Sequence, residues 1–307
     1  MGNICKTTKK EPFQCILCIK LDNYIVLNDN LIWVDSCSIA TLGLQKRSKK
    51  TNIIIYNIFD ENIEIIEIEN KIYNNLSYDS NNNLFAATYQ TKIYCWNRSG
   101  ELLFKKELWN DIFYLTWIDL WDMWCISILA PDDFSKLEVY SIDKKGEEKT
   151  YKFIVYQDKN WNSSSIESII TNKFDKIIIS YHINHFFEKE FSKESLLFIC
   201  DKYGNNSLKL TGRSIGKICF SELSNKLIHL DNLNENYSRL LIPYNTISEN
   251  EIIWKLDKIS NISINSNDLM AISFKEKDTK NFGIKIYYLG QNKFKYPAIS
   301  NKLLIIK

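Results

Sequence analysis

One unit recurs along this chain: an apolar strand, a polar turn and a second apolar strand. The copies read IIIYNIFDENIEII (53–66), KIYCWNRSGELLFK (92–105), KLEVYSIDKKGEEKTYKF (136–153), SLLFICDKYGNNSLKL (195–210), RLLIPYNTISENEIIWKL (239–256) and IKIYYLGQNKFKY (284–296). Between the turn residues Asn57, Asn97, Ser141, Asp201, Asn245 and Gly290 the intervals are 40, 44, 60, 44 and 45 residues. A further hairpin precedes each copy: LIWVDSCSIATLGL (31–44), NLSYDSNNNLFAATY (75–89), YLTWIDLWDMWCISIL (114–129), SIITNKFDKIIISY (168–181), KICFSELSNKLIHL (217–230) and NISINSNDLMAISF (261–274). Their turns are rich in Asp, Asn and Ser, which hydrogen-bond their own backbone and tolerate the left-handed φ/ψ of a tight hairpin. The second strand of each leading hairpin (IATLGL, LFAATY, WCISIL, IIISY, LIHL, LMAISF) is apolar at nearly every position. Such a strand is covered on both faces.

Two hairpins in series make a four-stranded antiparallel unit. A period of about 40–45 residues built from short strands predicts an all-β chain, a β-propeller of four-stranded antiparallel blades. FQCILCIKLDNYIVL (13–27) reads as the last two strands of a blade, and SNKLLIIK (300–307) resembles the second-strand segment SNKLIHLD (224–231). One blade is then shared between the termini, which removes exposed strand edges. This count predicts seven blades, the last one shared; six blades with an extra N-terminal hairpin is the alternative. Residues 1–12 are expected to form a flexible N-terminal tail, and 13–307 a single propeller domain. The 60-residue interval is assigned to an insertion, HINHFFEKEFSKES (182–195), between second and third strands. The corresponding connections QKRSKKT (45–51), APDDFSK (130–136), DNLNENYS (231–238) and KEKDTKN (275–281) are also long and polar. In a propeller they emerge on one face, where variable loops carry function.

YDSNNNLFAATYQTKIYCWNRSG (78–100) resembles a WD-repeat blade. It has a turn Asp, an Ala-rich second strand and a third strand ending in an aromatic, with Cys95-Trp96-Asn97 where that family has its Trp-Asp pair. Tyr56, Tyr140 and Tyr244 hold the analogous aromatic position in other copies. The resemblance implies a protein-interaction scaffold.

Composition narrows the field. Hydrophobic residues make up 45% of the 307 residues, ample for a packed core. With 39 basic and 37 acidic residues the formal net charge is +2, which predicts no nucleic-acid partner. The first twelve residues, MGNICKTTKKEP, lack the apolar run of a signal peptide. The eight cysteines are therefore expected in a reducing, cytoplasmic setting, mostly as small buried hydrophobes. The apolar stretch 114–129 carries Asp119 and Asp122 and is too short to span a bilayer.

Several local features carry candidate chemistry. Gly2, Asn3, Ile4 and Cys5, followed by Lys6, Lys9 and Lys10, resemble an N-myristoylation site beside a palmitoylatable cysteine, which would place the chain at a membrane surface. Cys15 and Cys18 form a C-x-x-C, but on a strand they are expected on opposite faces, as buried cysteines rather than zinc ligands. His182, His185 and Glu188 would suit a divalent ion if the 182–195 segment coiled into a helix. Phe186, Phe187 and Phe191 in the same segment suit a partner anchor. Trp121, between Asp119 and Asp122, is the tryptophan of the Trp109, Trp117, Trp121, Trp124 group expected at the surface. The turn residues Lys46, Arg47, Lys49 and Lys50 could meet an acidic partner. No phosphate-binding glycine loop, nucleophile elbow or paired catalytic carboxylates occur in the sequence. The reading is a monomeric, non-enzymatic, cofactor-free scaffold that binds protein through its loop-rich face. The alternative is a propeller-type hydrolase or lyase with a metal in the central channel.

Overall fold

The computed structural model describes residues 14–21, 23–129, 136–157, 163–171, 176–187, 190–201, 203–205, 208–212, 217–221, 223, 226–232, 237–242, 252–257, 259–275, 282–289 and 302–306. They form six sheets, five of them four-stranded and one five-stranded. Blade I comprises Tyr24–Trp33, Ser38–Gln45, Thr51–Asn57 and Ile63–Glu67; blade II comprises Asn74–Asp79, Leu84–Tyr89, Lys92–Asn97 and Leu102–Glu107. Blade III comprises Ile112–Ile118, Met123–Leu129, Lys136–Ile142 and Glu148–Gln157; blade IV comprises Ser163–Thr171, Ile177–Phe187, Glu190–Cys200 and Leu208–Gly212. Blade V comprises Ile218–Ser221, Lys226–Asn232, Tyr237–Ile242 and Ile252–Asp257. The closing sheet contains Ile259–Ile264, Leu269–Lys275, Phe282–Tyr288, Gln14–Leu21 and Lys302–Ile306, in that order. Among the described residues no helix is long and apolar enough to cross a membrane.

Among the described residues the expected antiparallel blades form, but not seven of them. Gln14–Leu21 and Tyr24–Trp33 do not make a hairpin of their own. The first pairs antiparallel with Phe282–Tyr288 as fourth strand of the closing sheet, and the second is the first strand of blade I. The extra N-terminal hairpin of the six-blade alternative does not form among the described residues either. The termini do share a sheet, with Lys302–Ile306 added parallel to Gln14–Leu21.

The chain divides into two compact units, residues 1–65 with 221–307 and residues 66–220. In the first, Ile16, Leu17, Ile19 and Leu21 pack with Tyr24, Leu31, Ile39, Ile54 and Tyr56 of blade I and with Leu269, Ala271, Ile284 and Ile286. In the second, the strand Met123–Leu129 shows why a continuous apolar run was required. Trp124, Ile126 and Ile128 join Leu84, Ala86, Ile93 and Cys95 of blade II, whereas Met123 and Cys125 join Ile169, Ile177, Ile179 and Phe198 of blade IV. Period-2 alternation sends successive side chains to the two neighbours, so apolar residues fill every position of this strand but Ser127.

Polar staples complement the apolar layers. The buried N–H of Trp117 donates to Ser77 Oγ (2.7 Å), Ile218 N–H donates to Ser168 Oγ (3.1 Å), and Trp33 Nε1 donates to the Ser263 carbonyl (3.2 Å). First strands are bulged between Asn74 and Ser77, Ile112 and Tyr114, Ile166 and Ser168, and Ile259 and Asn261. The second strand places Thr88, Ser127, Ser180 and Ser273 opposite the bulge-flanking residues Asn74, Tyr114, Ser168 and Asn261. Thr88 Oγ1 donates to the Asn74 carbonyl at 3.2 Å, taking up a ladder acceptor displaced by the bulge.

Third-to-fourth turns repeat one chemistry. Asn97, Asp143 and Asp201 each accept from backbone N–H groups two and four residues on, at 2.8–3.1 Å. Gly100, Gly146 and Gly204 follow three residues later with φ of 86, 82 and 79°. This Asx-x-x-Gly turn is a type I turn closed by a left-handed residue. The sequence reading located this turn at Ser141 in blade III; the capping residue is Asp143.

Candidate partner-binding surface

Blade IV departs most from its neighbours. Its central strands, Ile177–Phe187 and Glu190–Cys200, have 11 residues each, whereas every strand of blade II has 6. Segment 182–195 is therefore not a loop insertion. It is added strand, and only residues 188–189 connect the two arms. Pairing is continuous from Ile177 opposite Cys200 to Phe187 opposite Glu190, with Phe186 opposite Phe191. The first strand reaches as far as Asn184, through Ser163, and the outer strand as far as Ser195, through Gly212. Among the described residues, 185–187 thus pair only with 190–192, as a two-stranded tip.

This geometry corrects the metal reading. Positions 182 and 185 lie three apart on an unbulged strand and fall on opposite faces, so the helical spacing needed for joint ligation does not exist. Glu188 lies outside the described residues. Among the described residues no three His, Cys, Asp or Glu side chains gather as a metal site.

The C-x-x-C reading also changes. Cys15 pairs with Tyr287 and Cys18 with Lys285, two residues apart, because the register shifts between Cys15 and Leu17. The bulge puts positions 15 and 18 on the same face, not opposite ones. Cys18 is buried at 8% exposure. Burial pushes the Cys95 and Cys200 thiols up to about 12, with Asp79 and Asp201 adding to the respective shifts, and also raises Cys125 and Cys219. All four are buried and pack as small apolar groups.

The basic turn is short and ordered by its own backbone. Gln45 N–H donates to the Lys50 carbonyl and Lys49 N–H to the Gln45 carbonyl, both at 2.9 Å, with Lys49 at φ 59°. Arg47, Lys49 and Lys50 are exposed and Lys46 is half-buried. Trp121, expected at the surface, is half-buried in the 3₁₀ turn Asp119–Trp121 and packs on the core shared by blades III and IV. Trp109 is the more exposed tryptophan at 39%, its ring edge-on to Tyr140 at 5.1 Å. Gly2 and Cys5 lie outside the described residues.

Sequence reasoning missed an aromatic box on blade II. Tyr73 stands edge-on to Tyr94 (5.3 Å) and Trp96 (5.1 Å), and Lys71 Nζ lies 4.3 Å above the Tyr94 ring while donating to its hydroxyl at 2.9 Å. Tyr94 and Trp96, two apart on a third strand, were the available signal. Ile72, Leu102 and Leu103 near this box are exposed apolar side chains.

The blades have counterparts among solved structures. The WD40 β-propeller domain of Doa1 superposes with a TM-score of 0.56 at 11% identity, over 92% of this chain and 98% of that one. The fold is a β-propeller. The β-propeller domain of the Trilobed protease from Pyrococcus furiosus, described as having an open velcro topology, gives 0.51 at 12% identity over 91% and 94%. No family model matches this propeller, and no curated protein matches it. Blade II, where the WD-repeat resemblance lies, has Trp96 and Asp79 fully buried, Asp79 capping the N–H groups of Asn81 and Asn82.

Proposed function

We propose that this propeller is a non-enzymatic protein-interaction scaffold whose contact surface centres on the blade IV tip. The observation that carries the reading is the pair of 11-residue strands projecting past both flanking strands, with Phe186 opposite Phe191. Among the described residues the ladder at 185–187 and 190–192 has no flanking strand, and a two-stranded tip with aromatic positions suits partner anchoring. The basic turn at Lys46, Arg47, Lys49 and Lys50 and the aromatic Trp121 are proposed as secondary contacts. Within this reading the scaffold is a single propeller domain working as a monomer in the cytoplasm. Acylation at Gly2, and at Cys5, would hold it at a membrane surface. Free thiols at Cys18, Cys37, Cys95, Cys125, Cys200 and Cys219 suit such a compartment.

Substituting Phe186, Phe187 and Phe191 together by Ser tests the tip. Quantitative recovery of partners on the variant should fall at least about tenfold while the melting temperature is kept; an unchanged partner set removes the tip from the account. Intact-mass measurement of protein from its native source tests the N-terminus: loss of Met plus a C14 acyl mass is expected, and an unmodified mass rejects tethering.

A further inference from the structure

Blade II gathers exposed apolar side chains at its edge strand, Leu102–Glu107. Ile72, Leu102 and Leu103 are 57%, 38% and 46% exposed, three of the seven large hydrophobic side chains that are exposed among the described residues. Scattered surface leucines need no account, whereas a group of them marks a contact surface. A β-bulge produces the group. Cys95 pairs with Phe104 but Trp96 pairs with Leu102, so Leu103 is an extra residue on the edge strand. The bulge reverses the alternation there. Phe104 turns to the core that holds Cys95 and Ile93, and Leu102 stays on the opposite face, with Trp96.

The floor of that face is already packed. Tyr94 and Trp96 stack at 5.9 Å, Tyr73 stands edge-on to both, and all three are at most 1% exposed. Ile72 adjoins the group through Tyr73. A segment that covers the leucines therefore has no aromatic side chain to order first. Opposite Tyr94 the edge strand carries the exposed Lys105, whose Nζ lies 5.4 Å from the Tyr94 ring centre. Lys71, the other cation over this ring, is answered by Glu69, whereas Lys105 has no carboxylate partner among the described residues. Leu102 and Lys105 pair with Trp96 and Tyr94, two residues apart, which sets them about 7 Å apart along one face. Residues i and i+2 of an extended peptide share a face at the same spacing.

We propose that this face of blade II docks an extended acidic peptide segment, with an apolar side chain on Leu102 and Leu103 and a carboxylate two residues away against Lys105. The occupant follows from charge complementarity: leucines flanked by a cation that no carboxylate answers favour an apolar segment with a carboxylate and repel a basic one. The surface does not depend on the blade IV tip. A scaffold using both holds two segments at once.

A dye-labelled peptide of repeated Leu-Ser-Glu-Ser, titrated with the full chain and followed by fluorescence anisotropy, tests this. Half-saturation is expected below about 1 mM, with binding at least about tenfold weaker when Lys replaces each Glu. Leu102→Ser together with Leu103→Ser should weaken the acidic peptide at least about tenfold. Lys105→Glu should reverse the preference, so that the Lys peptide binds better. The triple serine variant of Phe186, Phe187 and Phe191 should bind the acidic peptide as the native chain does. No binding at that concentration, equal binding of the two peptides, or binding lost with the tip and kept without the leucines overturns the proposal. Should the double serine variant not fold, Lys105→Glu decides alone, and an unchanged preference there overturns the docking site.

Discussion

Asp143 and Asp79 cap turns of neighbouring blades and titrate in opposite directions. Burial works to raise Asp143, but the Glu147 and Lys145 N–H groups and the Lys149 charge outweigh it and hold the carboxyl below its usual range. Its contribution to stability is thus present above the ordinary carboxylate pKa and is lost as pH falls through the lower folded value. Asp143→Ala should cost about 1 kcal/mol at neutral pH, with Asp143→Asn keeping most of it through the retained acceptor. Asp79 is raised by burial, against hydrogen bonds from Asn82 and Asn81, with Asp122 adding to the rise. A raised folded value means stability that is full below the unfolded pKa and lost as pH rises through the folded one. Asp79→Asn should therefore match or exceed the native chain in urea unfolding at pH 7, with the gain vanishing below about pH 4, near the ordinary Asp value. A gain that persists there contradicts the burial argument. At Gly100, φ is 86° and a Cβ would lie 2.9 Å from the Glu67 carbonyl. Gly100→Ala should lower the unfolding free energy by at least about 1 kcal/mol, measured by the same assay.

At the scale of elements, turns were the most legible part of the sequence and strand lengths the least. Asn97 and Asp201 are the turn residues read from the repeat, because Asx side chains act locally and need no tertiary information. The tip of blade IV was read as loop because HINHFFEKEFSKES is polar at most positions. The segment lacks the apolar alternation by which strands are recognised. Bulges leave no signal in a single sequence, and one of them reversed the facing of Cys15 relative to Cys18. The serine staples were equally hidden, since their acceptor role exists only once neighbouring blades meet. Ser77→Ala should cost about 1–3 kcal/mol by leaving the buried Trp117 N–H unsatisfied; a change below about 0.5 kcal/mol in chemical denaturation would deny the staple its role.

For the molecule as a whole, the repeat specified antiparallel four-stranded blades, and the error lay at its ends. FQCILCIKLDNYIVL contains two strands at hairpin spacing, yet the first is drawn to Phe282–Tyr288 nearly the whole chain length away. Cys18 and Ile19, buried at successive positions of the closing sheet, show why: that strand is covered on both faces, which a separate N-terminal hairpin would not supply. Phe186, Phe187 and Phe191 stand out in the sequence, but the strand pairing that carries them does not. The central claim is that this projecting tip is where a partner protein sits. Site-specific photo-crosslinking tests it most directly, with a photoreactive residue at position 187 and a control at the exposed Glu67 of blade I. The account predicts a discrete crosslinked protein from position 187 that is absent from position 67. Equal products from both positions, or none from 187, would contradict it.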